Sequence, residues 1–293
     1  MTKFFTKVWR AALVLAACAI SFTASADLLL SDSFNYPLGN LYDPSGWMRL
    51  QPTADKTANE PIQVVDDALV YEGYQSTAVG KAVELVGTSS SNTSSERLKK
   101  TFSEEPVTSG TLFYSLLVKP MELSQGNTSK FIIAGLAAKN FNGWGDGVGN
   151  TSLFNTVSLT KGSKEGTFQF GFDSSTSAPQ LIDVDYDLGK TYLVVVGYDF
   201  STKAISVWVN PASSTADPTA VLSKQGSINT SNSVQGVALY QQGNANILGK
   251  IVVDNVRVAT DMASLFKEEG GEDAPMLDIE SRSDFGDEAA PIN

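Results

Sequence analysis

From Asp27 to about residue 260 the chain is written in short runs of Val, Ile, Leu, Phe, Tyr and Thr, broken every few residues by Gly, Pro, Asn or Ser. β-Branched and aromatic residues suit a pleated, half-buried surface, and the interrupting residues suit turns, so this punctuation calls for many short strands. The segments that qualify are Leu28–Phe34, Trp47–Leu50, Ile62–Val65, Ala68–Tyr71, Ala82–Leu85, Arg97–Phe102, Thr111–Val118, Lys130–Ala138, Leu153–Thr160, Gly166–Asp173, Tyr192–Asp199, Ala204–Asn210, Gly236–Gln241 and Lys250–Ala259. That number exceeds one immunoglobulin-type sandwich and fits an all-β, two-sheet antiparallel jelly-roll sandwich. Only one short helix is expected, Asp261–Phe266, with Thr260 as its N-cap.

The period within the runs assigns faces. Ile205, Val207 and Val209 alternate with Ser206 and Trp208, and Phe168, Phe170 and Phe172 alternate with Gln169 and Gly171, as strands do when one side is buried between sheets. Leu193–Val196 and Phe131–Leu136 are apolar on both faces, which predicts central strands covered twice.

Composition narrows the chemistry. The sequence has no histidine and a single cysteine, Cys18, which removes Ser-His-Asp and Cys-His catalysis, Cys/His zinc sites and an intrachain disulfide. The net charge of −11 is concentrated at the ends: residues 1–26 carry Lys3, Lys7 and Arg10, and residues 268–293 hold nine acids against Arg282. The body between them is mildly acidic and has no Lys/Arg cluster of the kind that neutralises phosphates, which argues against nucleic acid as a partner.

Residues 1–26 run from a basic Met1–Arg10 through the apolar Ala11–Phe22 to Ala24-Ser25-Ala26, the order of a secretory signal peptide with cleavage after Ala26. The apolar run is too short to span a bilayer, and no other segment is long and apolar enough to be a transmembrane helix. Leu15-Ala16-Ala17-Cys18 offers a second reading, a lipoprotein acylated at Cys18. Either way the expected address is secreted, periplasmic or cell-surface. The expected organisation is a signal peptide over 1–26, one β-sandwich over 27–267, and an acidic tail over 268–293 with too few apolar residues to fold alone.

The opening Leu28-Leu29-Leu30-Ser31-Asp32-Ser33-Phe34-Asn35-Tyr36-Pro37 with Gly39 and Gly46-Trp47, the segment Val207-Trp208-Val209-Asn210-Pro211, and the closing Ile251-Val252-Val253-Asp254-Asn255-Val256-Arg257-Val258 resemble secreted bacterial concanavalin A-like (laminin G-like) jelly-roll domains. The resemblance covers about residues 27–267. It implies that the first and last strands are neighbours, so that the Asp32 and Asp254 segments meet. It also implies the company of lectins, laminin G-like modules and glycoside hydrolases. The paired-glutamate catalytic strand of family-16-like hydrolases has no counterpart here.

The nearest acidic alternation is Asp183-Val184-Asp185-Tyr186-Asp187, which contains no glutamate. Asp183, Asp185 and Asp187 are candidate Ca²⁺ ligands, since hard cations take oxygens from alternate loop positions, although Leu188 and Val194 break the EF-hand pattern. The other reading is a solvated turn before the Tyr192 strand.

For a ligand, the loop Asn140-Phe141-Asn142-Gly143-Trp144-Gly145-Asp146-Gly147-Val148-Gly149-Asn150 is the most suggestive stretch. Trp144 supplies an aromatic face for a sugar ring, Asp146 and Asn150 supply hydroxyl partners, and the glycines allow close backbone approach; the competing reading is a connector whose tryptophan folds back on the core. Trp208, on the less apolar face of its strand, and Tyr74, beside Gly73, compete as groove residues or as packing residues. The sequence thus points to a secreted or surface-associated, lectin-like carbohydrate-binding module without catalytic activity, whose partner is a glycan or polysaccharide. The alternatives are a structural or adhesive surface protein that contacts a cell-surface protein or matrix, and a glycoside hydrolase or polysaccharide lyase.

Overall fold

The computed structural model describes residues 27–42, 45–49, 61–74, 80–86, 96–123, 131–138, 153–173, 180–212, 222–225, 234–241 and 249–267. The signal-peptide and acidic-tail expectations lie outside them. Within them the chain forms seventeen strands in two antiparallel sheets and one turn of 3-10 helix, the expected all-β sandwich. No helix among the described residues is long and apolar enough to cross a membrane.

The first sheet has nine strands: β1 (Leu28–Asp32), β2 (Gly39–Asn40), β4 (Gln63–Val65), β5 (Ala82–Val86), β7 (Thr111–Glu122), β13 (Tyr192–Asp199), β14 (Ala204–Val209), β15 (Leu222–Gln225) and β17 (Lys250–Ala259). Their order is β15-β14-β13-β7-β17-β5-β4-β2, with β1 on β17. The second has eight: β3 (Met48–Arg49), β6 (Glu96–Thr101), β8 (Phe131–Ala138), β9 (Leu153–Lys161), β10 (Thr167–Asp173), β11 (Gln180–Leu181), β12 (Tyr186–Asp187) and β16 (Val234–Gln241). Their order is β11-β10-β9-β8-β16-β6-β3, with β12 on β10.

Side chains that alternate inward from both sheets fill the space between them. Phe168, Phe170 and Phe172 are fully buried from one sheet and Ile205 and Val207 from the other, as the alternation predicts. Burying each such side chain is worth about 1.5–3 kcal/mol. Strand β1 lies antiparallel on β17 with Asp32 opposite Val256, so the Asp32 and Asp254 segments do meet. Asp32 organises the opening motif: its carboxylate accepts the Phe34 N–H (2.9 Å), the Tyr36 hydroxyl (2.8 Å) and the Trp47 indole N–H (2.9 Å), and it pairs with Lys100 (3.1 Å). Burial and the Asp32 charge push the Tyr36 hydroxyl well above the usual phenol range.

The outer face of the nine-stranded sheet carries a second apolar layer. Leu117, Leu193, Val195, Trp208 and Val252 project from the strands and pack with Leu69 and Tyr74 from the segment after β4 and with Leu265 from the 3-10 turn. This is why Leu193–Val196 is apolar on both sides: Val194 and Val196 face the main core, and Leu193 and Val195 face this layer.

Polar groups pin the layer in place. Arg257 donates to the Leu265 (2.7 Å) and Lys267 (3.0 Å) carbonyls and lies 4.5 Å over the Tyr74 ring. The buried Asp254 carboxylate accepts the Leu69 N–H (2.7 Å) and the Asn255 N–H (2.6 Å). Burial first, and then the neighbouring Asp32 and Asp67 charges, push its pKa up to about 7.

Three local expectations are corrected. Ala68–Tyr71 is no ladder strand; its apolar residues are there to cover the sheet, with Leu69 in the layer and Val70 exposed. The C-terminal helix is only Ala263–Phe266, one 3-10 turn. Asp261, not Thr260, receives the Ser264 N–H (3.0 Å) and hydroxyl (2.6 Å), while the Thr260 hydroxyl accepts the Asp27 N–H (3.0 Å).

Candidate functional site

The outer face of the eight-stranded sheet is built differently. Leu98, Leu136, Val157, Phe170 and Leu239 turn into the core, so their strand neighbours share the opposite face. The register then places Arg97 opposite Tyr240, Lys99 opposite Ala238, Ala238 opposite Gly135, and Gly236 opposite Ala137. Further across, Ser158 stands opposite Gly171 and Gln169 opposite Thr160. The result is two cations and a phenol on β6 and β16, a floor of glycine and alanine in the middle, and hydroxyl and amide groups on β9 and β10.

Each polar group is held. The Arg97 guanidinium lies 4.1 Å over the Tyr240 ring and donates to the Tyr240 hydroxyl (2.5 Å), a stacking that a planar, delocalised cation favours. Lys99 donates to the Ala138 carbonyl (3.1 Å), and burial pulls its pKa down. The lysine stem runs past Gly236, where a Cβ would sit 2.5 Å from Lys99 Cε and 2.8 Å from the Lys100 carbonyl; only glycine leaves that room. Ser158 donates to the Gly171 carbonyl (3.0 Å), and Gln169 donates to Asp185 (3.2 Å). Arg97 and Lys99 are each 4% exposed and Ser158 1%, so this is a buried polar layer rather than a flat wet surface.

Between β8 and β9 the sheet is bulged. Phe154 pairs with Leu136 and Val157 with Ala134, so Asn155 and Thr156 together stand against Gly135. Asn155 takes a left-handed conformation (φ 50°), and the Tyr114 hydroxyl, reaching across from the nine-stranded sheet, donates to its carbonyl.

The residues singled out from the sequence scatter. Trp144, Asp146 and Asn150 lie outside the described residues; the strands that their segment joins, β8 and β9, are neighbours in the middle of this sheet. Trp208 is on the other sheet's outer face, with its ring centroid 6.2 Å from that of Phe113. Tyr74 is buried in the same apolar layer; its hydroxyl shares a hydrogen bond with Ser115 Oγ (2.8 Å) and donates to the Asn255 carbonyl (3.0 Å).

The acidic series is likewise spread over separate tasks. Asp185 accepts the Ser163 hydroxyl and the Ser163 N–H (3.0 Å), bonds that hold its carboxyl below the usual range, while Asp187 pairs with Lys190 (2.6 Å). Among the described residues no three His, Cys, Asp or Glu side chains form a group able to hold a metal ion. Arg97, Lys99, Ser158 and Tyr240 were not singled out from the sequence. Their signal is a strand such as Glu96–Thr101 in which Leu98 alone is apolar.

No family model matches the chain, and no curated protein matches it. Solved structures similar to it include domain 4 of AbnA, a GH43 extracellular arabinanase from Geobacillus stearothermophilus, in complex with arabinotriose. That likeness has 15% identity, covers 82% of this chain and 97% of that one, and has a TM-score of 0.46. The carbohydrate esterase vb_24B_21 from the Shiga toxin-encoding bacteriophage phi24B is similar at 10% identity, over 80% and 99% of the two chains, with a TM-score of 0.47. The CBM2 module of the evolved Dit protein of Lactobacillus casei BL23 phage J-1 is similar at 9% identity, over 80% and 96%, with a TM-score of 0.45.

Proposed function

We propose that this protein is an exported, non-catalytic carbohydrate-binding module of the concanavalin A-like type that receives a glycan on the outer face of its eight-stranded sheet. The observation that carries the reading is the contrast between the two outer faces. One is packed with apolar side chains, and the other holds a buried polar layer of Arg97, Lys99 and Tyr240 beside a glycine–alanine floor and the Thr156, Ser158, Thr160 and Gln169 row.

Sugars are recognised by a few well-placed donors and acceptors on their hydroxyls and by apolar contact with the ring. The face supplies the first, and its small residues let a ring approach the backbone. In this reading Trp144 is the aromatic partner, with Asp146 and Asn150, since their segment joins β8 and β9.

Binding rather than catalysis fits the acids on hand. Asp32, Glu96 and Asp254 each accept donors that tie strands together, Glu96 from Ile62 N–H (2.7 Å) and Arg49 (2.7 Å). Export fits the basic, apolar and small-residue order of residues 1–26.

The test is affinity electrophoresis of residues 27–293 in gels containing xylan, mannan, β-glucan, arabinan or alginate. We expect at least one polysaccharide to retard the protein and Trp144→Ala to abolish the retardation. Normal migration in all five gels would overturn the reading.

A further inference from the structure

Residues 66–74 cross the outer face of the nine-stranded sheet as a strap that forms no strand of its own. Leu69 and Tyr74 bury their side chains in the apolar layer. The Tyr74 hydroxyl bonds Ser115 Oγ and the Asn255 carbonyl, and Asp67 pairs with Lys119 (3.4 Å) at the surface. The Leu69 N–H goes to the Asp254 carboxylate (2.7 Å).

The floor beneath the strap is fixed more firmly. Asp254 lies in β17, whose ladder joins β7, β5 and β1. Its side chain is fully buried and accepts the Leu69 and Asn255 N–H groups, and among the described residues no lysine or arginine pairs with it. The charges around it are engaged elsewhere: Asp32 of β1 with Lys100, Asp67 of the strap with Lys119, Glu84 of β5 with Lys250, and Arg257 of β17 with Asn255 Oδ1 and the Leu265 and Lys267 carbonyls. An ionised carboxylate held out of water without a cation is costly, and two N–H groups offset only part of that cost.

We propose that residues 66–74 are a pH-set cover: with Asp254 protonated the strap stays closed over the apolar layer, and with Asp254 ionised it lifts more readily, because lifting hydrates the carboxylate without breaking the ladder. In the lifted state the group titrates near its ordinary 3.8, whereas beneath the closed strap it titrates at about 7. The closed form therefore binds the proton more tightly, and opening becomes easier as pH rises from about 4 to about 7, by at most about tenfold per pH unit. Because the β17 ladder stays paired, this is a local opening that uncovers Leu117, Leu193, Val195, Trp208 and Val252.

The test is hydrogen exchange on the wild-type protein between about pH 5 and pH 8, with each rate divided by the intrinsic rate at that pH. We expect the protection of residues 68–74 to fall about tenfold or more across that range, and to lie below the protection of β13 at every pH. In Asp254→Asn the same residues should show protection that does not change with pH. Wild-type protection of the strap that stays constant from pH 5 to pH 8 would overturn the inference, and this arm needs no variant to fold. So would a strap that exchanges only together with β13, because it would then have no opening of its own, or an Asp254→Asn protein that keeps the wild-type dependence.

Discussion

The two outer faces of the sandwich begin from the same backbone and end as opposites. On the nine-stranded sheet, β7, β13, β14 and β17 turn Leu117, Leu193, Val195, Trp208 and Val252 outward, and the chain spends Leu69, Tyr74 and Leu265 covering them. On the eight-stranded sheet, β6, β8, β9 and β16 turn outward Arg97, Lys99, Gly135, Ala137, Thr156, Ser158, Ala238 and Tyr240. Apolar surface is buried for its own gain, whereas buried polar groups must be matched by hydrogen bonds, as Arg97 is by Tyr240 and Lys99 by the Ala138 carbonyl. The difference is one of chemistry: one outer face is packed with apolar side chains and the other with hydrogen-bonded polar ones.

The largest effect is expected where the cover is thinnest. Leu265 is fully buried yet sits in a single 3-10 turn, so Leu265→Ala removes its contacts at the end of the layer. We expect a loss of about 2–5 kcal/mol in urea unfolding, with polysaccharide affinity unchanged. A variant that loses affinity without losing stability would break the separation of the two faces.

A smaller, pH-dependent effect should come from Asp254 beneath the same cover. Its folded-state pKa is raised to about 7 from an ordinary 3.8, so the folded chain holds the proton more tightly than the unfolded one. The stabilisation is therefore complete below about pH 4, declines between about pH 4 and 7, and is gone above, at no more than about 1.4 kcal/mol per pH unit. Asp254→Asn should flatten that part of the stability profile. A variant that retains the wild-type slope between pH 4 and 7 would assign the titration to another group.

Much of this fold was legible in the residues because burial writes a period into a strand. Phe168, Phe170 and Phe172 announced a core face, and the double-sided run at Leu193–Val196 announced a covered strand. Strands of two residues, such as Gly39–Asn40, Gln180–Leu181 and Tyr186–Asp187, carry no period and passed unseen. The apolar residues around Leu69 misled for a related reason: hydrophobic contact with a sheet and membership of its ladder leave similar marks in a sequence.

The candidate site was harder to read. Aromatic and acidic residues drew attention to Trp208, Tyr74 and the Asp183–Asp187 series, which the fold uses for packing, for a buried hydroxyl network and for turn capping. Arg97, Lys99 and Ser158 looked ordinary, because what joins them is cross-strand register. Register depends on pairings over more than a hundred residues, such as Arg97 with Tyr240.

The most direct test of the two-face account is hydrogen exchange on the wild-type protein, with and without the polysaccharide that retards it. We expect ligand-dependent protection confined to backbone amides of β6, β8, β9 and β16, with β13, β14 and residues 67–74 unchanged. Protection that falls on β13, β14 or residues 67–74 while the eight-stranded sheet exchanges as before would contradict it.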